Sequence, residues 1–351
     1  MEIVLAIVST LLVLSVFLSL IKNDFWIFKI LEYPRLQKLF LVVITVACWF
    51  FYWPLEKLFY KVLFGSLILS VVYLLYKIWP YTRLAKKEMI RVNSTDKKNE
   101  LKIFSANVLQ ENQQYKSMLQ QIKTADADLV FLLETNKAWA DAMVELKNDY
   151  PYNLLKPLEN TYGLLFYSRL KLEDGKINFL VKNDLPSIEA MVILPSGAKV
   201  KIWGLHPEPP VPGESLYSTA KDKELMKVAL KAKECTMPQI VFGDLNDVAW
   251  SHTTELFRKT SELLDPRRGR GFYSTFSAHN WFIRYPLDYI FCSKEFGLVN
   301  MERMPKNGSD HFATLTHLAL REDLKKEQSP PEADHEELEE AKELANQPVK
   351  E

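Results

Sequence analysis

Two polar side chains follow a short apolar stretch in the second half of the chain. Residues 240–242 are Ile, Val and Phe, Gly243 comes next, and Asp244 and Asn246 follow with one residue between them. Branched and aromatic residues that end at a glycine predict a buried strand followed by a turn. Two positions apart in extended backbone, the carboxylate and the carboxamide point to the same side. Asp244 can then accept a proton from water and Asn246 can donate to a phosphoryl oxygen, as phosphate-ester hydrolysis requires.

The same residues have a simpler interpretation, in which Asp244 caps the following helix and Asn246 lies in the turn. Taken alone, this short motif favours the simpler interpretation. Other predicted strands weaken it, because polar residues able to bind or attack a phosphate recur near strand ends. These residues are Asn107, Glu134, His206, Asp288, Asp310 and His311. So many of them along one rim of a sheet indicate a common site.

The composition excludes few classes of protein. The chain has 351 residues, of which 48% are hydrophobic, and they are too unevenly distributed for one soluble globule. Lysine plus arginine and aspartate plus glutamate each number 44, so the net charge gives no indication of a polyanionic partner. The three cysteines, Cys48, Cys235 and Cys292, have neither metal-ligand spacing nor a disulfide pattern, which is at most weak evidence for a reducing compartment.

Three apolar stretches near the N-terminus have about the length of membrane-spanning helices. They lie at about residues 3–21, 36–53 and 58–79, and a helix needs about 20 apolar residues to cross the bilayer core. A cleavable signal peptide is the alternative for the first stretch. That stretch has no basic residue before it and no small-residue cleavage site after it. We therefore predict that residues 1–81 form a transmembrane region of three helices.

The positive charges around these stretches predict their orientation. The second loop has only Lys57 and Lys61, whereas the first loop and the segment after the third stretch each carry four basic residues: Lys22, Lys29, Arg35 and Lys38, and Arg83, Lys86, Lys87 and Arg91. Positively charged loops face the cytoplasm. The sequence thus predicts an integral membrane protein with its N-terminus outside and everything after Tyr81 in the cytoplasm.

The pattern changes beyond the apolar stretches. Residues 82–100 are polar without apolar periodicity and predict a linker. From 101 to 320, short strands alternate with amphipathic helices, and the strands are predicted at about 101–104, 129–133, 164–167, 188–194, 200–205, 240–242, 287–291 and 312–318. Residues 321–351 are polar and rich in glutamate, which is typical of a disordered or solvated helical tail.

Six short motifs occur in order in residues 101–320: SANV, LLET, GLHPEPP, GDLN, PLDYIF and GSDH. Each is weak alone, but together they resemble the endonuclease/exonuclease/phosphatase superfamily, the DNase I-like metallophosphoesterases. DPRRGRG, WSHTTELF and the three-span region are similar to a bacterial membrane-anchored branch of that superfamily. The resemblance implies a four-layer α/β sandwich, in which two facing, mostly antiparallel sheets have helices outside, and a location in the bacterial inner (plasma) membrane.

The resemblance also implies a divalent metal ion held by Glu134 with Asn107 and Asp310 beside it. Mg²⁺ is the expected ion, with Mn²⁺ as a substitute. Hard cations of this kind prefer carboxylate and carbonyl oxygens and keep several waters.

Catalytic roles for five further residues follow from the same resemblance. Asp244 would orient or deprotonate the attacking water, and Asn246 would hold the phosphate. His206 and His311 would flank the phosphoryl group, and Asp288 would orient His311. Positive charge on the metal and the histidines would offset the charge that develops on the phosphoryl oxygens.

Two loops leave alternatives open. Arg267, Arg268 and Arg270 in DPRRGRG are candidates to bind a phosphate-rich substrate, because guanidinium groups match phosphate oxygens. Equally, they form a surface loop anchored by Asp265. The segment His279–Ile283, HNWFI, is apolar enough to contact lipid, to stack on a base or merely to pack, and the sequence does not choose among these.

Together these features predict a membrane-anchored, divalent-metal-dependent phosphoesterase that cleaves a phosphodiester or phosphomonoester by water attack. The expected partners are membrane lipids, through the N-terminal anchor, and a nucleic acid, phospholipid or sugar-phosphate substrate; no protein partner can be inferred. The neutral charge balance gives no sign of the basic groove of a nuclease, and the anchor favours phospholipids or inositol phosphates. The alternative from a different class is a non-catalytic membrane-tethered binding or scaffold module, which the complete set of site residues argues against.

Overall fold

The computed structural model describes residues 1–350. The helices in this range are α1 (Glu2–Leu18), α2 (Trp26–Ile30), α3 (Arg35–Trp49), α4 (Leu58–Ile78), α5 (Tyr115–Ala125), α6 (Lys137–Ala142), α7 (Thr219–Glu234), α8 (His252–Ser261) and α9 (His335–Asn346). The strands are β1 (Glu100–Asn107), β2 (Leu129–Leu133), β3 (Tyr152–Lys156), β4 (Leu164–Ser168), β5 (Leu172–Asn178), β6 (Ser187–Ile193), β7 (Lys199–Leu205), β8 (Gln239–Asp244), β9 (Asp288–Cys292), β10 (Phe296–Arg303) and β11 (Thr314–Leu320).

The strands form two sheets that pack face to face. One sheet has the order β10-β11-β1-β2-β4-β3 and the other has the order β5-β6-β7-β8-β9. Their inner faces share one apolar core, in which the rings of Phe131 and Phe242 lie 5.3 Å apart. Helices α5 and α6 cover the outside of the first sheet, and α7 and α8 cover the outside of the second. The two-sheet α/β sandwich that the resemblance implies is therefore confirmed.

One edge of the sandwich collects the ends of four strands. Strand β1 runs parallel to β2, and β7 runs parallel to β8, so each pair ends at the same rim of its sheet. Strand β9 runs antiparallel to β8 and places Asp288 opposite Asp244. At this rim Gly243 has a φ of +133°, and a Cβ added there would lie 2.1 Å from the carbonyl oxygen of Leu205. The rim thus needs glycine where β7 and β8 approach most closely.

The N-terminal helices α1, α3 and α4 form a separate bundle around buried residues such as Trp49, Leu67 and Leu74. Two helical stretches, Arg35–Tyr52 and Leu58–Tyr81, are long and apolar enough to cross a membrane by length and composition. The first helix, Glu2–Leu18, is apolar but shorter. Large apolar side chains cover the outer surface of the bundle; Phe40, for example, is 61% exposed.

The segment between α1 and α3 packs against the two-sheet region, residues 100–320. The guanidinium of Arg35 donates to the carbonyl oxygen of Trp250 at 2.7 Å, and the indole of Trp250 donates to the carbonyl oxygen of Glu32 at 2.8 Å. The side chain of Lys29 forms an ion pair with Asp222 at 3.3 Å. The two-sheet region therefore lies at the end of the bundle where α1 ends and α3 begins.

Residues 82–100 and the C-terminal tail are more ordered than the sequence suggests. Within the predicted linker, Met89 is fully buried in the core between the sheets, and Arg91 pairs with Leu298 of β10. In the tail, α9 buries Ala341 and Ala345 against α7 and α8. In both segments the apolar residues are few and are separated by charged residues, so their pattern does not indicate which of them are buried. Met89 of the predicted linker thus reaches the core between the sheets, and the tail contains a helix, as the helical alternative predicted, although this helix is docked instead of solvated.

Met89→Ala tests whether residues 82–100 belong to the core. Removing a fully buried methionine side chain costs about 2–5 kcal/mol of unfolding free energy, because a cavity remains. We expect a clear fall in the melting temperature of the full chain in detergent micelles. The matched control is Leu84→Ala in the same segment, since Leu84 is 80% exposed and its loss should be nearly neutral. Equal melting temperatures for the two variants would contradict the packing.

Candidate active site

The eight polar residues that recur near strand ends meet at the shared rim of the two sheets. Asn107 and Glu134 come from β1 and from the end of β2 in the first sheet. From the second sheet come His206 after β7, Asp244 and Asn246 from β8 and its turn, and Asp288 from β9. Asp310 and His311 lie in the loop that leads into β11. The structure thus assembles residues that are far apart in the chain at one place.

Asn107 joins the two sheets. Its side-chain Nδ2 donates to the Glu134 carboxylate at 2.6 Å and to Asp244 Oδ2 at 3.1 Å. Its Oδ1 accepts from the backbone N–H of Leu109 at 3.1 Å, which fixes the orientation of the amide. One amide group therefore holds a carboxylate from each sheet.

The turn after β8 is locked around Asp244. The backbone N–H of Asn246 donates to Asp244 Oδ1 at 2.9 Å, and the Asn246 amide donates to the carbonyl oxygen of Pro207 at 3.0 Å. Asn246 has a φ of +51°, a left-handed conformation that is uncommon outside glycine and recurs at functional sites. Helix α8 is capped by Ser251, whose hydroxyl accepts from the N–H of Thr254. The simpler interpretation of Asp244 as the cap of that helix is therefore wrong.

Two carboxylates lie beside Nδ1 of His311 and raise its pKa. Its Nδ1 lies 2.9 Å from Asp288 Oδ2 and 3.6 Å from Asp244 Oδ2. Burial alone would lower the pKa of His311, but the charges of Asp288 and Asp244 outweigh it and raise the pKa to about 10. The imidazole is thus protonated at neutral pH, and its Nε2–H is available as a charged donor. The ring of Phe276 lies 5.1 Å away and covers one side of it.

His206 and Glu134 have the opposite electrostatics. Burial lowers the pKa of His206 to about 4, with a smaller effect of the charge on His311, so this imidazole is neutral. Burial raises the pKa of Glu134 to about 7. Burial likewise raises the pKa of Asp244, and Asp288 adds to that effect. The site therefore contains one neutral and one protonated histidine, beside carboxylates whose pKa values are raised.

The donor set fits a divalent cation. Glu134 and Asp310 supply carboxylates, the hard oxygen donors that Mg²⁺ prefers. Asn107 turns its Nδ2 to Glu134 and its Oδ1 to the N–H of Leu109, so it would join these ligands with its amide reversed. Asp244, Asp288 and His311 also approach within 4.8 Å of one another. In that second group, Nδ1 of His311 is already hydrogen-bonded to Asp288 at 2.9 Å. A nearby positive charge stabilises the ionised form of buried carboxylates such as Asp244 and Asp288.

Two buried atoms at the rim also lack a protein partner. Neither Nδ1 of His206 nor Oδ1 of Asp288 has a hydrogen-bond partner among residues 1–350. Buried polar atoms rarely stay unpaired in native proteins. These two atoms therefore mark a place where water, metal or substrate completes the site.

Of the three candidate arginines, only Arg267 contacts this group, and it does so through the backbone: its guanidinium donates to the carbonyl oxygen of Asp288 at 3.2 Å. Arg267 is buried, pairs with Asp265 at 2.8 Å and stacks on the ring of Tyr289 at 3.9 Å. Arg268 pairs with Glu255 at 2.6 Å, and Arg270 donates to the backbone carbonyl oxygen of Met89. All three guanidinium groups are engaged inside the protein, in place of the predicted contact with substrate. The arrangement supports the other interpretation, a loop anchored by Asp265.

Two further residues at the site have no signal in the sequence. The hydroxyl of Tyr33 donates to the backbone carbonyl oxygen of Asn246 at 2.8 Å and so supports its left-handed turn. The ring of Tyr162 lies 5.4 Å from that of His206, and its hydroxyl donates to Glu214. Tyr33 lies between two predicted spans, where no motif or periodicity connects it with the site.

Known structures share this fold. The zebrafish (D. rerio) TDP2 complexed with a single-strand DNA product is 19% identical, with a TM-score of 0.53, over 62% of this chain and 98% of that one. The human Nocturnin catalytic domain with bound sulfate is 17% identical, with a TM-score of 0.51, over 67% of this chain and 97% of that one. An endonuclease/exonuclease/phosphatase family protein from Bacteroides thetaiotaomicron is 18% identical, with a TM-score of 0.51, over 63% and 98%.

At these identities the likeness shows the fold alone, and no curated protein sequence matches the chain significantly. The family model for the Endonuclease/Exonuclease/phosphatase family matches residues 100–311, which is more than half of the chain. That range begins at β1 and ends at His311, so it contains all eight residues of the rim. The chain belongs to the Endonuclease/Exonuclease/phosphatase family and is a hydrolase of phosphate ester bonds.

Proposed function

We propose that the protein is a membrane-anchored, Mg²⁺-dependent phosphoesterase that cleaves its substrate by attack of water. The observation that carries this proposal is the environment of Asp244. Its carboxylate is fully buried, accepts from Asn107 and Asn246, and lies 3.6 Å from His311. The proposed general base is therefore in direct contact with Asn107 and Asn246 and lies beside His311.

Asp244 acts as the general base for the attacking water. A base works best when its pKa is near the working pH, and burial raises the pKa of Asp244 toward that range. A carboxylate has about four lone-pair sites, so Asp244 can still accept from water after accepting from Asn107 and Asn246. The two hydrogen bonds from protein hold the carboxylate in place while the proton is transferred.

The other side chains bind and stabilise the phosphoryl group. The protonated His311, oriented by Asp288, donates from Nε2–H to a phosphoryl oxygen, and the second N–H of Asn246 donates to another. Glu134, Asn107 and Asp310 would hold the divalent ion, which when bound supplies positive charge to the phosphoryl oxygens. Charge that develops on the phosphate is thus met by donors already in position.

Membrane anchoring is supported by the docked N-terminal bundle. The loop between α1 and α3 contacts the catalytic region, and α4 leads directly into it through the buried Tyr81. The two basic clusters, in residues 22–38 and 83–91, therefore lie at the same end of the bundle as the site. With three spans, this arrangement agrees with an N-terminus outside and a cytoplasmic active site at the inner (plasma) membrane.

The first experiment concerns the metal. EDTA is expected to abolish hydrolysis of bis(p-nitrophenyl) phosphate by the full chain in micelles, and Mg²⁺ is expected to restore it. Glu134→Gln removes the charge but keeps the size, so we expect half-maximal activity to need about tenfold more Mg²⁺ or higher. Glu145→Gln is the control, since that side chain is exposed and distant from the rim. Full activity in excess EDTA would exclude the proposed chemistry.

The second experiment separates catalysis from folding at Asp244. Asp244→Asn keeps the size and a hydrogen-bond acceptor but cannot take up the proton, so kcat should fall by about 100-fold or more. The melting temperature should also fall but leave the protein folded at the assay temperature, because Asn has one oxygen for the two donors Asn107 and Asn246 and no charge opposite His311. Asp149→Asn, at an exposed position, should change neither quantity. Retained turnover with a collapsed melting temperature would give Asp244 a purely structural role.

The third experiment tests the orientation in the membrane. A fluorescent protein fused to the C-terminus should fluoresce in a bacterial host, and an alkaline phosphatase fused at the same place should be inactive. This result follows because the first folds in the cytoplasm and the second needs an oxidising compartment. The reverse pattern would place the active site on the opposite side of the membrane.

A further inference from the structure

One hairpin connects the active site with the N-terminal bundle. Residues 275–285 fold back on themselves, and the backbone N–H of Phe276 donates to the carbonyl oxygen of Tyr285 at 3.0 Å. At the base of this 275–285 hairpin, the ring of Phe276 covers His311. The N–H of Ala278 donates to the carbonyl oxygen of Asp310 at 2.6 Å. The base of the hairpin is therefore part of the wall of the catalytic site.

The tip of the 275–285 hairpin is apolar and exposed. Trp281 is 79% exposed, Phe282 is 49% exposed and Ile283 is 45% exposed. Three consecutive large apolar residues at the surface, one of them a tryptophan, are unusual for a loop in water. Contact with an apolar partner would remove these three side chains from water.

The tip lies beside the first turns of α3. The amide of Gln37 donates to the carbonyl oxygen of Phe282 at 2.5 Å. Between the hairpin and α3 is an open groove of about 370 Å³, whose lining includes Leu36, Phe40, Ser274, Trp281, Phe282 and Arg284. The apolar stretch of this helix starts at Arg35, so the groove lies where α3 would enter the bilayer. Tryptophan is enriched at that level of membrane proteins.

Two arginines contact the residue that follows His311. The guanidinium of Arg284 lies 5.1 Å from the centre of the Phe312 ring, and that of Arg303 lies 4.1 Å from it on the same residue. Phe312 follows the catalytic His311 directly in the chain. Arg284 therefore lines the groove and also contacts the residue next to His311.

We propose that the substrate is an anionic membrane lipid, whose phosphate ester lies in the catalytic site while its acyl part occupies the groove between the 275–285 hairpin and α3. This inference rests on the proposed function. In the reaction, the oxygen of water bonds to phosphorus, one P–O ester bond breaks, and the leaving oxygen takes up a proton. The lipid stays in the leaflet, and only its headgroup has to reach the rim.

Competition measurements with the full chain test this assignment. The reporter is Mg²⁺-dependent hydrolysis of bis(p-nitrophenyl) phosphate in dodecyl maltoside micelles. The competitors are phosphatidylglycerol in the same micelles, its water-soluble headgroup glycerophosphoglycerol, and a single-stranded DNA oligonucleotide. The test variant is Trp281→Ser/Phe282→Ser, and the control is Val144→Ser, an apolar residue that is 56% exposed on another surface.

We expect phosphatidylglycerol to compete with the reporter in the unmodified protein and in Val144→Ser, with an inhibition constant at least about tenfold higher in the double variant. Glycerophosphoglycerol should compete weakly and equally in all three proteins. The proposal is overturned if the lipid does not compete, if the double variant leaves its inhibition constant unchanged, or if only the oligonucleotide shows the dependence on Trp281 and Phe282. Absence of Mg²⁺-dependent reporter hydrolysis in the unmodified protein would instead reject the proposed function itself.

Discussion

The site depends on one buried carboxylate, that of Asp244, and on the groups that make its burial tolerable. An ionised carboxylate removed from water is costly unless hydrogen bonds and opposite charges compensate it. Here the compensation comes from Asn107 in the first sheet, from the backbone of Asn246 and from the protonated His311. Because these groups belong to different strands and loops, the carboxylate proposed as the general base also links the two sheets at the rim.

The backbone at two neighbouring site residues adopts strained, left-handed conformations. Glu134 and Asn246 both adopt left-handed φ values, of +57° and +51°, which cost free energy and persist only where neighbours enforce them. At Asn246 the enforcing contacts are the amide bond to Pro207 and the hydroxyl of Tyr33. Tyr33 belongs to the loop of the N-terminal bundle. The geometry of Asn246, the proposed phosphate-binding residue, is therefore set in part by a segment outside the matched family region.

Much of this architecture could be predicted from the sequence, and the failures have a common physical cause. The eight predicted strands are present, and three were missed: β3, β5 and β10. All three lie at sheet edges, where one side faces water and half-exposed residues such as those of LEDGKIN dilute the apolar pattern. The eight rim residues could be named from strand ends and motifs, because chemistry requires particular side chains there.

Contacts between distant segments could not be predicted in this way. Tyr33, Met89 and α9 contribute through packing partners that are far away in the chain, and local periodicity carries no information about them. The three arginines show the converse problem. A run of guanidinium groups near a glycine is compatible with phosphate binding and with internal ion pairs, and the buried Asp265 decides between them only after folding.

The packed segment between α4 and β1 has a consequence for how such an enzyme finds its substrate. A flexible linker would let a catalytic domain sample a volume of solution around its tether. Tyr81 and Met89 are instead buried, and the loop before α3 is docked, so the rim is held at one height and one tilt relative to the bundle. Under the proposed anchoring, the search becomes two-dimensional. Its rate would follow the lateral density of substrate in the leaflet and the lateral diffusion of the protein, with little dependence on concentration in the surrounding water.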